Sequence, residues 1–580
     1  MDDMKITLSG LIADALAAAF PDAPAQPAAE IAGYLEVPPE KEMGDYAFPC
    51  FRLSKTLRKG PLQIAQALAQ GISAPDVCEA RALGGYLNFF FRRDAFARRT
   101  VEKVLSAQGR FGAADIGNGR TVCIDYSSIN IAKRFHIGHL STTMIGHSLK
   151  RIFDFLGYAT VGINHLGDWG TQFGKLISAY RRWGNREEIE RGGVEALSRL
   201  YVKFHEEAGA QEKATGAHTL EDEGRAYFKA IEDGDPEALR LFNWFKELTL
   251  RDCARVYDLL GVTFDSYAGE SFYNDKMGRV IDELRDKGLL TVSEGASIVD
   301  LSDADMPPCL ILKKDGATLY ATRDIAAALY RADTYRFDKC LYVVAYQQDL
   351  HFRQWFKVVE KMGYPWAADL VHVAFGMISY EGQTLSTRKG YVVYLEDLLR
   401  RAQEKALAII EEKSPNLADK ETVARQVGIG AVIYADLQNN RIKDIDFWWD
   451  RALNFDGETG PYVQYTHARC CSVLRKAAEQ AAPPAEPAYE GLSDDWAQDL
   501  LRIISRFPEA VADAADKYEP SIVTRAVTDV AKAYNKFYYE NRIIDAEPGV
   551  REARIRLTDA ARDVLRTGLY LIGMEAPERM

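Results

Sequence analysis

The sequence lacks several features that would place it in a membrane, in a disulfide-bonded fold or among the P-loop ATPases. No uninterrupted apolar run approaches the ~18 residues that a membrane-spanning helix needs. The first residues, MDDMKITLSG, are acidic where a signal peptide would be basic. The eight cysteines form no C-x-x-C pair, and no G-x-x-x-x-G-K-[ST] segment is present. We therefore expect a cytoplasmic protein with reduced thiols and no membrane association.

The sequence also has fewer basic than acidic residues. Lysine and arginine total 72 against 84 acidic residues, which gives a net charge of -12. Indiscriminate nucleic-acid binding depends on neutralising phosphates and is not expected, although a local basic groove is compatible with these totals. The composition is 47% hydrophobic and 27% charged, as in ordinary globular proteins. At ~100–200 residues per domain, 580 residues predict three or four domains.

The order of helical and strand-like segments predicts a multidomain α/β protein. Residues 1–110 form a separate α+β module, with a strand over 86–91. Residues 111–400 begin with a strand, an amphipathic helix and a second strand, which is the unit of a Rossmann-like parallel sheet. A charged segment over about 181–290 reads as a helical insertion, with further strand-like runs after it. Residues 401–580 are almost entirely helical, with a single helix expected over 496–516.

The strongest local motif is H-x-G-H, formed by His136, Ile137, Gly138 and His139 at the start of the first helix after the first strand. Ligands of an open α/β sheet bind at the carboxyl ends of its strands, and anions bind at helix N-termini. Two histidines three residues apart share one helix face and can donate hydrogen bonds to phosphate oxygens. Gly138 leaves room for a flat base. The alternative is two unrelated histidines at a helix start.

The surrounding residues resemble the nucleotide-binding signature of the arginyl-tRNA synthetases, a family of class I aminoacyl-tRNA synthetases. The resemblance extends over most of the chain in the family's order. The matching segments are residues 127–140 (SSINIAKRFHIGHL), 164–174 (NHLGDWGTQFG), 269–273 (GESFY), 320–326 (YATRDIA), 347–352 (QQDLHF), 461–469 (PYVQYTHAR) and 568–578 (GLYLIGMEAPE).

A guanidinium ligand needs planar, paired acceptors, which a carboxylate supplies. Asp324 and Glu270 are the candidate carboxylates, and Tyr320 offers a hydroxyl and an aromatic face. From the residues alone, Asp324 could equally be an ion-pair partner of Arg323 or a helix N-cap. The resemblance implies the ligand role for Tyr320 and Asp324. It also implies contacts with the backbone end of the amino acid for these residues: Asp125, Ser128, Asn130, His139 and Gln348.

The second class I signature, a K-M-S-K-S-like loop, is degenerate in this sequence. Aligned on residues 384–390 (TLSTRKG), it retains Ser386 but has Thr384 and Thr387 where lysines are usual, with Arg388 and Lys389 just beyond. Some cation must neutralise the departing phosphates. The resemblance implies that Lys133, just before H-x-G-H, compensates. Its alternative is a solvated loop lysine. A second departure is Ser141, where relatives commonly carry arginine.

The resemblance implies an arginine–tRNA ligase. It would bind ATP through Lys133 and the H-x-G-H residues, activate L-arginine and transfer it to the terminal adenosine of arginine tRNA. ATP would be a substrate carrying Mg²⁺, with no tightly bound cofactor, no metal site of the protein's own and a monomeric state. Anticodon recognition would lie in the helical C-terminal region, where aromatic and cationic residues mix over 534–542. The alternative function is a catalytically silent paralogue that binds tRNA or arginine.

Overall fold

The structure is a computed structural model that describes residues 3–314, 316–385, 392–480 and 485–580. The N-terminal region places three antiparallel strands, in the order β1-β3-β2, beside five helices. Its elements are α1 (Asp3–Ala19), α2 (Ala28–Tyr34), β1 (Tyr46–Pro49), α3 (Phe51–Leu57), α4 (Pro61–Gly71), β2 (Cys78–Leu83), β3 (Tyr86–Phe91) and α5 (Arg93–Ser106). The predicted strand over residues 86–91 is therefore confirmed.

The central region is built on a four-stranded parallel sheet in the order β10-β9-β4-β5. The strands and the helices beside them are β4 (Thr121–Asp125), α6 (Leu140–Phe155), β5 (Ala159–Ile163), α7 (Thr171–Trp183), α8 (Arg186–Thr215), α9 (Thr219–Glu232), α10 (Pro236–Leu260) and α11 (Met277–Asp286). Because β4 and β5 are parallel neighbours joined through α6, the predicted strand-helix-strand unit is confirmed. Helices α8, α9 and α10 lie within the segment over about 181–290 that was predicted to be a helical insertion.

The strand-like runs after the insertion do not all join the parallel sheet. Two of them pair in a separate antiparallel sheet of order β6-β7-β8, and only the later two become β9 and β10. The elements are β6 (Leu290–Ser293), β7 (Ala296–Val299), β8 (Cys309–Leu312), α12 (Tyr320–Tyr335), β9 (Lys339–Ala345), α13 (Asp349–Lys361), β10 (Leu370–Phe375), β11 (Ile378–Tyr380) and β12 (Gln383–Thr384).

The C-terminal region is helical, as expected. It contains α14 (Leu395–Lys413), α15 (Lys420–Leu437), β13 (Ile445–Phe447), α16 (Trp449–Ala452), α17 (Gly460–Glu479), α18 (Asp495–Ser505), α19 (Phe507–Asp516), α20 (Ser521–Glu540) and α21 (Pro548–Leu571). The prediction of a single helix over 496–516 was wrong, because a new helix begins at Phe507, with Pro508 in its first turn. Strand β13 pairs with β11, so the helical region also contributes to a small sheet beside the parallel one. None of the described helices is long and apolar enough to cross a membrane.

Candidate active site

The loops that follow β4 and β5 meet at the carboxyl edge of the parallel sheet. Asn130 pairs with Gly167 as an isolated parallel bridge. The Ile131 amide donates to the Gly167 carbonyl over 3.1 Å, and the Gly167 amide donates to the Ile129 carbonyl over 2.9 Å. A Cβ on Gly167 would lie 2.3 Å from the Asn130 side-chain oxygen, so glycine leaves room for the Asn130 side chain in this pairing. The two quoted motifs therefore form one edge of one site.

The turn at the end of β4 is strained and closely held. Ser127 and Ser128 have φ values of 70° and 44°, a left-handed conformation that non-glycine residues seldom adopt. The Ser128 hydroxyl donates to Asp125 over 2.7 Å, and the Ser127 amide donates to the Thr142 hydroxyl over 3.0 Å. These contacts hold the half-buried Ser128 against the buried carboxylate of Asp125, which is only 6% exposed.

The two histidines of H-x-G-H lie side by side, with ring centroids 3.9 Å apart. His136 Nδ1 accepts from the Gly138 amide over 3.1 Å. His139 Nδ1 lies 3.2 Å from the His136 amide nitrogen and 3.3 Å from the His136 carbonyl oxygen. A neutral imidazole that accepts at Nδ1 carries its proton at Nε2. The Nε2–H of His136 is therefore left as a donor, which is what a phosphate oxygen requires.

Burial keeps both rings neutral. It lowers the pKa of His139 to about 3, with a further contribution from His136, and it lowers the pKa of His136 together with the positive charge of Lys133. Two neutral donors can approach a phosphate without repelling each other. They would stabilise charge that develops during reaction by hydrogen bonding, without a full positive charge.

Gly138 is required by the histidine next to it. A Cβ at this position would lie 2.9 Å from Cε1 and 3.0 Å from Nδ1 of His136. A side chain would displace the His136 ring from the Gly138 amide to which it is bonded. Gly138 was predicted to leave room for a flat base. The structure shows that it also leaves room for the His136 ring, which the sequence did not reveal.

The H-x-G-H segment is also bonded to the far end of the degenerate loop. The Ile137 amide donates to the Val393 carbonyl over 2.9 Å, and the Leu395 amide donates to the Phe135 carbonyl over 3.0 Å. His136 and Tyr394 form an antiparallel bridge between them. The predicted loop residues Ser386, Arg388 and Lys389 lie outside the described residues, but the chain on their C-terminal side is placed against the histidines.

Lys133 is exposed next to these histidines and lines a cavity of about 420 Å³. The cavity is bounded by the insertion helices α8 and α10 and by the start of α14. Neighbouring Arg134 packs its guanidinium 3.6 Å from the centre of the Tyr394 ring and lies 3.4 Å from Asp397. Arg134 is thus engaged with the flank of the loop. Lys133 remains directed at solvent beside His136, whose pKa its charge lowers.

A second group of charged residues surrounds the start of α12. Asp324 lies in the second turn of this helix and accepts a hydrogen bond from His351 Nε2 over 2.6 Å. Arg323 pairs with Glu270 instead, over 3.3 Å. Both alternatives for Asp324 are therefore wrong, since it neither pairs with Arg323 nor caps the helix, whose N-cap is Leu319. Asp324 is about one quarter exposed, with a side-chain accessibility of 28%.

Glu270 lies close enough to Asp324 and Asp168 for their negative charges to act on it. Burial raises the pKa of Glu270 to about 7. Arg323 opposes this shift, and Asp324 and Asp168 add to it. Tyr320, one turn before Asp324, is 69% exposed. The arrangement suits a cationic, planar ligand group, because the carboxyl groups of Asp324 and Glu270 affect each other's charge and Asp324 lies one turn from an accessible aromatic ring.

The predicted residues thus form two groups, and His165 lies close enough to both to be affected by their charges. Burial lowers the pKa of His165, and the charges of both Asp125 and Asp324 act on the same ring in the opposite sense. Asn130 and Gln348 are exposed at the ends of their strands, Gln348 in a short 3₁₀ turn after β9. The residues predicted to bind the backbone end of arginine and those predicted to bind its guanidinium therefore lie along one edge of the sheet.

Sequence reasoning missed three residues that shape this edge: Arg323, Arg331 and His351. His351 lies in the quoted segment 347–352, and its motif was the signal that could have identified it. Arg331 follows Asp324 by seven residues, which is two helical turns, so the spacing places both side chains on one face of α12. Arg323 was considered only as a partner of Asp324.

Ser141, where the family resemblance leads us to expect arginine, faces a buried carboxyl group. Its hydroxyl donates to Asp436 Oδ1 over 2.5 Å, and Oδ2 of Asp436 has no hydrogen-bond partner among the described atoms. Burial raises the pKa of Asp436 to about 7, against the effect of the Ser141 hydrogen bond. The first turn of α6 is thereby joined to α15 of the helical region.

A second candidate surface lies far from this edge, between α17 and the end of α20. A cavity of about 960 Å³ is lined by Tyr465, Arg469, Tyr538, Tyr539 and Arg542, among others. The Arg469 guanidinium lies 4.9 Å from the Tyr465 ring and 5.1 Å from the Tyr538 ring. Tyr539 is 86% exposed. Accessible rings interleaved with cations are what unstacked bases and their phosphates bind.

The chain matches three family models in sequence order. The Arginyl tRNA synthetase N terminal domain model matches residues 7–91. The model for the catalytic domain of class I (R) tRNA synthetases matches residues 100–449. The DALR anticodon binding domain model matches residues 463–580. The catalytic model covers both the parallel sheet with its insertion and the degenerate loop.

Individual relatives match over almost the whole chain. The arginine–tRNA ligase of Alkaliphilus metalliredigens is 53% identical over 552 residues, covering 95% of this chain and 96% of that protein. The arginine–tRNA ligase of Clostridioides difficile is 50% identical over 581 residues and covers both chains completely. The solved arginyl-tRNA synthetase of Thermus thermophilus superimposes with a TM-score of 0.81 at 27% identity, covering 99% of each chain. The chain therefore belongs to the arginyl-tRNA synthetases, of the class I aminoacyl-tRNA synthetases.

Proposed function

We propose that this protein joins L-arginine to arginine tRNA in two steps. In the first step a carboxylate oxygen of arginine bonds to the α-phosphorus of ATP while the bond to the departing phosphate breaks, giving arginyl-adenylate and pyrophosphate. In the second, the 2′-hydroxyl of the terminal adenosine attacks the arginyl carbonyl carbon, and AMP leaves. The proposal rests chiefly on the pair of adjacent neutral histidines, His136 and His139, of which His136 has its Nε2–H left as a donor.

The protein's own residues supply positioning and charge stabilisation in this mechanism, without a protein nucleophile. His136 and His139 donate to phosphate oxygens as negative charge shifts along the polyphosphate. Lys133 adds a full positive charge on the same side, next to His136. Ser386, Arg388 and Lys389 complete the phosphate site from the degenerate loop. Mg²⁺ enters bound to the phosphates of ATP, as it does where substrate phosphates supply most of its ligands.

Arginine is oriented along the carboxyl edge of the sheet. Its guanidinium binds Asp324 and Glu270 beside the Tyr320 ring, and its backbone end lies at Ser128, Asn130, His139 and Gln348, above buried Asp125. Bidentate pairing with a carboxylate separates a guanidinium from an amine, since lysine offers no planar pair of donors. It also separates arginine from its neutral isostere citrulline, which cannot satisfy two converging carboxylates.

The N-terminal, central and C-terminal regions have separate roles in catalysis and in tRNA binding. We assign residues 111–400 to catalysis, with the insertion over about 181–290 flanking the Lys133 cavity. Residues 401–580 bind the anticodon through the surface that contains Tyr539 and Arg469. Residues 1–110 contact another part of the tRNA. We further propose that the protein acts in the cytoplasm as a monomer, which a mass measurement in solution would test.

Pyrophosphate exchange with each of the twenty amino acids, with and without tRNA, tests this function directly. We expect exchange with arginine only, and aminoacylation of arginine tRNA under the same conditions. Exchange with another amino acid would overturn the substrate assignment. Binding of arginine or tRNA without any exchange would establish the catalytically silent alternative, which no relative described above supports.

A further inference from the structure

Arg331 is buried beneath the amino-acid edge, although nothing in the proposed chemistry uses it. It is 1% exposed, and its Nη2 donates to Asp125 Oδ2 over 2.7 Å. The same nitrogen lies 3.4 Å from His165 Nδ1, and the guanidinium lies 5.3 Å from the centre of the Tyr342 ring. Its Nε and Nη1 have no hydrogen-bond partner among the described atoms.

Stability alone does not explain such a residue. A buried ion pair repays its desolvation cost only with good geometry and satisfied hydrogen bonds, and apolar replacements of similar size are often neutral or stabilising. Here Nε and Nη1 of the guanidinium have no hydrogen-bond partner among the described atoms. The hydrogen bond that Arg331 makes with a carboxylate is to Asp125, at the candidate amino-acid site, which indicates a role in holding that site in place.

The contacts form a chain from helix α12 to the strained turn. Arg331 binds one oxygen of Asp125, and the other oxygen accepts from the Ser128 hydroxyl over 2.7 Å. Ser128, with a φ of 44°, keeps its left-handed conformation only while its surroundings hold it. Arg331 therefore holds the Asp125 carboxylate in place, and Asp125 in turn holds the Ser128 hydroxyl.

The same helix carries the other end of the pocket. Tyr320, Asp324 and Arg331 lie on one face of α12, at spacings of four and seven residues. Asp324 is directed toward the guanidinium end and Arg331 toward the end of β4. The Arg331–Asp125 pair is thus a direct side-chain connection between the helix that binds the side chain of arginine and the strand that presents its backbone end.

We infer that Arg331 is a positioning residue that sets the separation between the two ends of the pocket, and with it the length of side chain that the enzyme accepts. The inference rests on the proposed function, since it assumes that both ends bind arginine. A supporting residue of this kind leaves ATP binding untouched, because the phosphate site at His136 belongs to a different part of the edge.

The test compares Arg331→Met and Arg331→Lys with the wild type and with Arg336→Met, an exposed arginine at the end of the same helix. Pyrophosphate exchange in the presence of tRNA is measured for L-arginine and for analogues with one methylene more or one fewer. For Arg331→Met we expect a rise in arginine KM of about tenfold to hundredfold, the effect of a displacement of about 1 Å. ATP KM should stay unchanged, and the preference for arginine over its longer analogue should narrow.

Arg331→Lys should raise the arginine KM less than Arg331→Met does, because it keeps a cation near Asp125. Arg336→Met should have the arginine KM of the wild type. Equal rises in arginine and ATP KM, or unchanged KM and length preference in a folded Arg331→Met protein, would overturn the inference. If thermal melting shows that Arg331→Met does not fold, Arg331→Lys decides by the same two readouts. Absence of arginine exchange in the wild type would instead count against the proposed function itself.

Discussion

Asp324 and His351 are hydrogen-bonded over 2.6 Å at the guanidinium end of the candidate pocket. The histidine comes from α13, which follows β9, so the bond fixes the carboxylate between two elements of the sheet edge. A carboxylate has several acceptor positions, and one is enough for His351. The remaining ones are free to face a ligand, and the carboxylate does not need to reorient before it binds.

The first prediction concerns this carboxylate. Asp324→Asn removes the charge but preserves the size of the side chain and one acceptor. Loss of a hydrogen bond to a charged group costs about 1.5–3 kcal/mol, so arginine KM should rise by roughly tenfold to hundredfold. ATP KM should hardly change, and discrimination against citrulline should narrow. An unchanged arginine KM in exchange assays would show that Asp324 serves only to hold His351.

The second prediction concerns Lys133. Lys133→Ala should leave arginine binding nearly intact and slow single-turnover formation of arginyl-adenylate by about 10²–10³, the usual loss for one charge-stabilising donor. Lys229→Ala provides a control, because Lys229 pairs with Asp233 on the exposed face of α9. A rate within about threefold of the wild type would move the role to Arg388 or Lys389.

The third prediction concerns pH. Burial raises the pKa of Glu270 to about 7, so this group loses its charge as the pH falls through that value. If its ionised form attracts the guanidinium, arginine KM should be lowest above pH 7 and should rise as the pH falls toward 6. The profile of Glu270→Gln should be flat over this range. A wild-type arginine KM that is constant between pH 6 and 8 would remove Glu270 from the pocket.

The fourth prediction concerns the order of events. The loop at 384–390 lacks the usual lysines, so we expect the phosphate site to be completed only when tRNA selects the productive conformation. Pyrophosphate exchange should be nearly absent without arginine tRNA and should appear when it is added. A tRNA without a reactive terminal 2′-hydroxyl should activate equally well. Strong exchange by the protein alone would disprove this ordering and leave the arginine assignment intact.

The fifth prediction separates two tyrosines of one aromatic run. Tyr539 is 86% exposed at the proposed anticodon surface, whereas Tyr534 is fully buried. Tyr539→Ala should weaken tRNA binding by about 1–3 kcal/mol, the value of one stacked base, without changing the melting temperature. Tyr534→Ala should instead destabilise the fold, by about 3–5 kcal/mol. Filter binding and thermal melting distinguish the two, and normal tRNA affinity of Tyr539→Ala would exclude that ring from the interface.

Local patterns predicted the fold well because each determines one element. The run over 121–126 corresponds to β4, and the apolar spacing from Leu140 to Leu156 corresponds to α6. Gly157, with a φ of 82°, follows the end of α6. The same patterns could not assign the runs at 297–299 and 309–312 to a second sheet. Strand pairing depends on long-range packing, which the periodicity of a short run does not contain.

The candidate site was predicted less completely. Motifs identified residues that face a ligand, such as His136 and Asp324, because such residues recur at fixed spacings. Arg331 and His351, which bind Asp125 and Asp324, lie 206 and 27 residues from those groups. No local pattern predicts which distant group each one binds, and a buried arginine looks the same as a surface arginine in a sequence. The strain at Ser127 and Ser128 was equally hidden, because serine has no marked preference for that conformation.

The backbone pairing of His136 with Tyr394 has a mechanical consequence. Because residues 135–137 and 393–395 share hydrogen bonds, the C-terminal base of the phosphate loop cannot move without pulling on the histidines. Any displacement of residues 393–395 is therefore transmitted through two backbone hydrogen bonds to the segment that carries His136 and His139.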